Sequence, residues 1–106
     1  MLVLTLAGRL GSASADGLGR ALDQAIAGGD RRLVIDFGLV DYVSSAGLEA
    51  LETAASQCAG NRGALVLCNL SEPVRIVFDL AGLLPDFPIE PSRERGVARA
   101  LPKDVE

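Results

Sequence analysis

The sequence predicts an α/β fold with a mixed, mainly parallel sheet of four strands and about four helices. Short apolar segments alternate with segments whose apolar residues recur every three or four positions, and turns rich in glycine and serine separate them. Hydrophobic residues make up 49% of the 106 positions, which is enough for one core. Strands that alternate with helices usually pair in parallel through right-handed crossovers. We therefore expect one domain over residues 1–101 and a loose tail over 102–106.

Four segments have the composition of strands. Residues 33–37 and 64–68 are short aliphatic runs typical of strands buried on both faces. Residues 2–7 form a further apolar run, and Pro88 favours an edge position for a short strand over 87–89. The residues between these runs are predicted to be connections, namely a turn over 8–11 and a longer connection over 38–43.

Helical spacing of apolar residues follows each strand. The first such set is Leu18, Ala21, Leu22, Ala25 and Ile26, ended by Gly28. Serine hydroxyls accept hydrogen bonds from the free N–H groups at helix starts. Serines stand before all four helical segments: Ser12 or Ser14, Ser44 or Ser45, Ser71, and Ser92, whose helix is predicted through Leu101.

The composition excludes several classes of function. Ten basic and fourteen acidic residues give a net charge of −4, which argues against phosphate-mediated binding of nucleic acid. The chain has no histidine, so Ser-His-Asp catalysis and HExxH metal sites are excluded, and the two cysteines are too few for a tetrahedral site. We expect reduced thiols, no metal and no cofactor. No apolar run is long enough to cross a bilayer, so we expect a cytoplasmic protein without direct membrane insertion.

The junction between the second strand and the second helix carries the functional signal. Ser44 and Ser45 are adjacent hydroxyls at the start of a helix, where free N–H groups and the helix dipole favour negative charge. A phosphate there would change the surface charge without opposing the fold. Judged from spacing alone, a serine at this position is more often a simple helix cap. Asp41 and Tyr42 precede the serines. Asp41 is interpreted as a solvated charge or as a residue that shapes the loop. The ring of Tyr42 is expected to pack against its neighbours.

The segments 33–37 and 40–51 resemble the signature of the STAS domain, of the bacterial anti-sigma factor antagonist type. The likeness rests on an aspartate-containing apolar strand followed by Ser44-Ser45-Ala46-Gly47-Leu48. It extends to an early Gly-x-Leu turn, a third helix with an Asn-Leu-Ser-Glu-Pro start, and an Ala-Gly-Leu sequence at that helix's end. It covers almost the whole chain and implies a STAS-like fold.

The resemblance also implies a regulatory cycle. The family's phosphorylated serine lies two residues before Gly-Leu, which corresponds to Ser45. Ser44 then stands where the family usually has aspartate. The implied partners are an anti-sigma factor that is a serine kinase and a serine phosphatase that resets the switch. The implied partner-binding switch loop comprises Asp41, Tyr42, Ser44, Ala46, Gly47 and Leu48.

The chain starts where the family's second strand usually starts, so we also expect an exposed sheet edge. Exposed edges pair with other chains, and a homodimer is therefore one expectation. Two other functions stay open at this point. One is a docking subunit of a membrane lipid or anion transport system. The other is an enzyme with Ser45 as nucleophile, which is disfavoured because no histidine can activate it. We therefore expect no catalytic residues.

Overall fold

The computed structural model describes residues 1–101, and the predicted tail over 102–106 lies outside them. A short 3-10 turn, Leu84–Asp86, precedes the last strand. The strands and helices are β1 (Leu2–Leu10), α1 (Ser12–Ala27), β2 (Arg32–Val43), α2 (Ser45–Gly60), β3 (Ala64–Cys68), α3 (Glu72–Leu80), β4 (Ile89–Glu90) and α4 (Arg93–Ala100).

The four strands form one sheet in the order β1-β2-β3-β4. Leu33 in β2 opposes Leu2 in β1 on one side and Leu65 in β3 on the other, and all three strand pairs are parallel. The predicted α/β class, with a four-stranded sheet and four helices, is confirmed. Within residues 1–101 the sheet is wholly parallel rather than mixed.

Strands β1 and β2 are longer than the sequence predicted. The predictions of a turn over 8–11 and a connection over 38–43 were wrong, because β1 continues to Leu10 and β2 continues to Val43. Between Thr5 and Ala7 the pairing skips an extra residue of β2, and it does so again between Gly8 and Arg9. Glycines and polar residues that usually mark turns here accompany two β-bulges, which keep the strands paired while bending them.

Two end assignments also change. Gly11, rather than Ser12 or Ser14, is the N-cap of α1, and no side chain caps that helix. The Ser14 hydroxyl instead donates to the carbonyl oxygen of Arg9 at 3.0 Å. The last strand lies at Ile89–Glu90, later than the predicted 87–89, and α4 ends one residue before Leu101. The predicted caps Ser71 and Ser92 are confirmed, since each accepts a hydrogen bond from a backbone N–H three residues on.

The two faces of the sheet are covered differently. Alternate residues of β2 and β3 point to opposite faces. Leu33 and Ile35 belong to the larger core together with buried residues of α1, α2 and α3, and we call this side the three-helix face. Val34 and Cys68 belong to a smaller cluster under α4, and we call this side the α4 face.

Candidate functional site

The serine pair lies at the carboxyl end of β2, where α2 begins. Ser44 is the N-cap residue: its hydroxyl oxygen accepts a hydrogen bond from the N–H of Gly47 at 3.2 Å. Its backbone N–H donates to the carbonyl of Leu10 at 2.9 Å, and its own carbonyl accepts from Leu48 at 3.0 Å. Ser44 therefore ties the helix start to β1. A serine at this position can do the capping that an aspartate would do, because both side chains cap helices well.

Ser45 is the first residue of α2, and its side chain is exposed. Within residues 1–101 its hydroxyl takes part in no side-chain hydrogen bond. Because Ser44 already provides the cap, the hydroxyl of Ser45 is not needed to cap α2. The N-terminal end of a 16-residue helix favours negative charge at this point, so a phosphate on Ser45 would break no described contact.

Gly47 and Leu48 lie beneath the serine pair and are buried. A Cβ atom on Gly47 would lie 3.0 Å from Leu10 Cδ2 and 3.2 Å from Val43 Cγ1, which is closer than most real contacts. Glycine therefore lets the first turn of α2 approach the ends of β1 and β2. These two residues were predicted to belong to a partner-binding loop, but they lie in the first turn of α2 and are buried.

Asp41 and Tyr42 are residues of β2 and not of a loop, which corrects the sequence prediction. Both are exposed, and Tyr42 exposes 40% of its surface. The guanidinium carbon of Arg9 lies 4.2 Å from the centre of the Tyr42 ring, and Arg9 opposes Tyr42 in the β1–β2 ladder. Arg9 is the middle residue of the Gly-x-Leu motif, and nothing in the sequence pattern assigned it a role.

A groove of about 360 Å³ runs between α1 and α2 and begins beside the serine pair. Ala46, the half-buried residue after Ser45, lines it together with Glu49. On the opposite wall α1 contributes Asp16, Arg20 and Asp23. The groove is open and lined by small and charged side chains, which suits contact with a protein surface better than enclosure of a small substrate.

Asp36 is the one charged or polar residue among 1–101 that is buried, with 8% of its surface exposed. Its Oδ1 accepts hydrogen bonds from the Gly38 N–H at 2.9 Å and the Asn69 side-chain amide at 3.0 Å. Its Oδ2 pairs with Arg93 Nε at 3.1 Å, and the same guanidinium donates to Thr5 Oγ1. Burial acts to raise the pKa of Asp36, but the hydrogen bonds from Asn69, Gly38 and Arg93 outweigh it and lower that pKa.

The Asp36 cluster fixes α4 to the sheet. The sequence pattern shows Asp36 as an aspartate within the apolar strand 33–37 and assigns no role to Arg93, which is 57 residues away. The only signal was an aspartate inside an apolar strand. Its carboxylate oxygens are engaged by described partners, so this cluster is structural.

The described residues hold no group of three or more His, Cys, Asp or Glu side chains that could bind a metal ion. Cys58 and Cys68 are free and buried, and burial raises the pKa of both thiols. Cys58 packs in the three-helix core and Cys68 under α4, so they lie on opposite faces of the sheet. Among residues 1–101 no helix is both long and apolar enough to cross a membrane.

These features define a small parallel α/β domain whose candidate site is an exposed serine at a helix start. The sequence profile of the STAS domain matches residues 1–96. The chain therefore belongs to the STAS domain family. It is 42% identical to "Putative anti-sigma factor antagonist BtrV" of Bordetella bronchiseptica over 106 aligned residues, which cover 97% of this chain and 91% of that protein.

Solved structures share the fold. An anti-sigma factor antagonist from Mycobacterium paratuberculosis matches with a TM-score of 0.83 at 23% identity, over 93% of this chain and 85% of that one. The Bacillus cell fate determinant SpoIIAA in its phosphorylated form matches with a TM-score of 0.72 at 21% identity, over 93% and 89%. A sulfate transporter family protein from Wolinella succinogenes matches with a TM-score of 0.80 at 17% identity, over 93% and 84%.

Proposed function

We propose that this chain, as one domain over residues 1–101, is a cytoplasmic and non-enzymatic anti-sigma factor antagonist. It binds an anti-sigma factor that is also a serine kinase, and phosphorylation of Ser45 ends that binding. The observation that carries the proposal is that the two serines differ in their contacts. Ser44 is engaged as the helix cap, whereas Ser45 is exposed and takes part in no side-chain hydrogen bond within residues 1–101. The relative named as an anti-sigma factor antagonist, at 42% identity, supports the same function.

The physical effect of the switch is local. A phosphate adds about −1.5 to −2 charge units at neutral pH. Because the helix N-terminus favours that charge, the fold should tolerate it. The partner's surface, by contrast, meets a new dianion next to the exposed residues Asp41 and Tyr42. Binding is lost through repulsion and desolvation at the interface, and a serine phosphatase restores it.

The first experiment tests phosphorylation directly. The chain is incubated with Mg-ATP in an extract of its native cells, with phosphatases inhibited, and its phosphopeptides are mapped. Tryptic cleavage after Arg32 and Arg62 gives one peptide that holds Ser44, Ser45 and Ser56, so fragment ions must place the phosphate. We expect it on Ser45. Ser45→Ala should abolish labelling, whereas Ser44→Ala, with an intact acceptor, should retain it.

A second experiment separates the switch from the fold. Ser45→Asp should leave the thermal midpoint within about 2 °C of the parent chain, because an acidic residue suits the first turn of a helix. It should weaken binding to the kinase recovered from the first experiment at least tenfold. Ser45→Ala should bind normally and resist phosphorylation. An unfolded Ser45→Asp chain would contradict the proposal.

The first experiment, together with a separate ester-hydrolysis assay, also distinguishes the other functions. A folded chain without phosphate on Ser45 would favour a constitutive docking subunit of a membrane transport system, with Ser45 as part of a simple helix start. Hydrolysis of a general ester that disappears in Ser45→Ala would instead establish an enzyme.

The outer strand β1 motivates one further part of the proposal, a homodimer. In the described sheet β1 pairs on one side with β2, and Leu2, Val3 and Leu4 stay half-buried. Exposed strand edges pair readily with other chains. Sedimentation of the chain at high concentration should then show a dimer, and a monodisperse monomer would exclude it.

A further inference from the structure

Among residues 1–101, Arg9 has no carboxylate partner at the proposed switch. The salt bridges within residues 1–101 involve Asp30, Asp36 and Glu90, and none of them includes Arg9. The described partner of the Arg9 guanidinium is the Tyr42 ring, 4.2 Å away. A cation–π contact at an exposed site is weak, so a nearby dianion can replace it.

The backbone places Arg9 at the same end of the sheet as Ser45. Arg9 opposes Tyr42 in the ladder, and the carbonyl of the next residue, Leu10, accepts the hydrogen bond from the Ser44 N–H at 2.9 Å. Only one peptide unit then separates this contact from Ser45. The exposed arginine has a long, flexible stem with which to cover that span.

The other charges around Ser45 favour Arg9 over the alternative cation. Glu49 lies four residues after Ser45 on α2, and Asp41 is exposed on β2, so both oppose a phosphate nearby. On α1, Arg20 also forms no salt bridge within residues 1–101, but it lines the groove together with Glu49, Asp16 and Asp23, and these three carboxylates would attract it. Arg9 faces an aromatic ring instead.

We propose that Arg9 binds the phosphate of phosphorylated Ser45 and leaves the Tyr42 ring to do so. Its role in regulation rests on the proposed function. Phosphorylation then changes the partner-binding surface twice, because it adds negative charge and removes the Arg9–Tyr42 stack. Arginine and tyrosine are residue types that often dominate binding energy at protein interfaces.

The test installs phosphoserine at position 45 during protein synthesis, so that no kinase is needed. The second ionisation of the phosphate is then followed by ³¹P NMR at low ionic strength in the parent chain, Arg9→Gln and Arg20→Gln. Loss of an ion pair with Arg9 should raise the phosphoserine pKa by about half a unit. Arg20→Gln should leave that pKa unchanged, and added salt should reduce the effect of Arg9→Gln.

Tyr42 gives an independent readout, because it is the only tyrosine of a chain without tryptophan. Tyrosine emission should change when position 45 is phosphorylated and should then match that of unphosphorylated Arg9→Gln. In Arg9→Gln itself, phosphorylation should change the emission little. Circular dichroism of each variant checks that it is folded.

Equal phosphate pKa values in the parent chain and Arg9→Gln would overturn the inference, as would equal shifts in Arg9→Gln and Arg20→Gln. Because the phosphate is installed by synthesis, these results are separate from those of the proposed function. If extracts never label Ser45, the switch fails while the Arg9 contact stands. If extracts label Ser45 but Arg9→Gln has no effect, only this inference fails.

Discussion

The two faces of the sheet are held by different physical means. On the three-helix face, α1, α2 and α3 bury a continuous set of large aliphatic and aromatic side chains, among them Leu22, Leu51 and Phe78. On the α4 face the buried cluster consists of Val34, Val66, Cys68 and Ala100. A single helix of eight residues covers that side.

Polar contacts compensate for the small cluster under α4. Arg93 binds Asp36 at the start of the helix, and Arg32 donates to the carbonyl oxygen of Ala100 at its end, at 2.8 Å. Gly96 lies between them, where a Cβ atom would come within 3.1 Å of Val34 Cγ1. Apolar burial thus stabilises the three-helix face, whereas hydrogen bonds, an ion pair and close packing at Gly96 hold α4 on the other face. The two faces should therefore respond differently to mutation and pH.

The largest effect is expected on the three-helix face, from Phe78→Ala. Phe78 is completely buried and makes edge-to-face contacts with Phe37 and Phe87, at ring-centre distances of 6.0 and 5.7 Å. Its truncation removes apolar burial and leaves a cavity, which should cost about 3–5 kcal/mol of unfolding free energy in urea titrations. Ile76→Ala on the same helix is the control, because Ile76 is 49% exposed and should cost far less. Similar losses for both variants would contradict a core centred on Phe78.

On the α4 face, Asp36→Ala should have the next largest effect. It removes one charge and leaves the Asn69 amide and the Gly38 N–H without their acceptor. Loss of such buried partners costs about 1–3 kcal/mol. Urea titration measures the loss, with the exposed Asp79→Ala as control. A loss confined to α4, seen as faster amide exchange in that helix alone, would sharpen the comparison further, whereas no loss would show that apolar contacts suffice.

The same carboxyl group should make the α4 face sensitive to acid. The pKa of Asp36 in the folded protein lies below its usual 3.8. Its contribution is therefore complete above the unfolded pKa and is lost as pH falls through the folded pKa. The stability difference between the parent chain and Asp36→Asn should shrink as pH is lowered from 6 towards 2. A difference that is constant over this range would show that the carboxylate charge contributes nothing.

The contrast between the faces also explains what the sequence could predict. Apolar spacing in α1, α2 and α3 predicted these helices and the core they cover, and the serine pair at the start of α2 could be found from its position alone. Bulges in β2 could not be predicted, because Gly38 and Asp41 have the composition of a connection and only pairing with β1 keeps them in the strand. The Asp36–Arg93 pair could not be found either, since no local periodicity links residues that meet only through the sheet.

The smallest effects are expected at the start of α2. There a helix of the three-helix face is held by a polar contact, the hydrogen bond from the Gly47 N–H to the Ser44 hydroxyl. Ser44→Ala removes the acceptor of the Gly47 N–H and should cost about 1 kcal/mol, the usual value of a helix cap. Ser45→Ala, one residue on, removes an exposed hydroxyl without a described partner and should stay within about 0.5 kcal/mol of the parent chain. Paired urea titrations of the two variants measure the difference. If Ser45→Ala costs as much as Ser44→Ala, both hydroxyls support the fold, and Ser45 is not free to act as a switch.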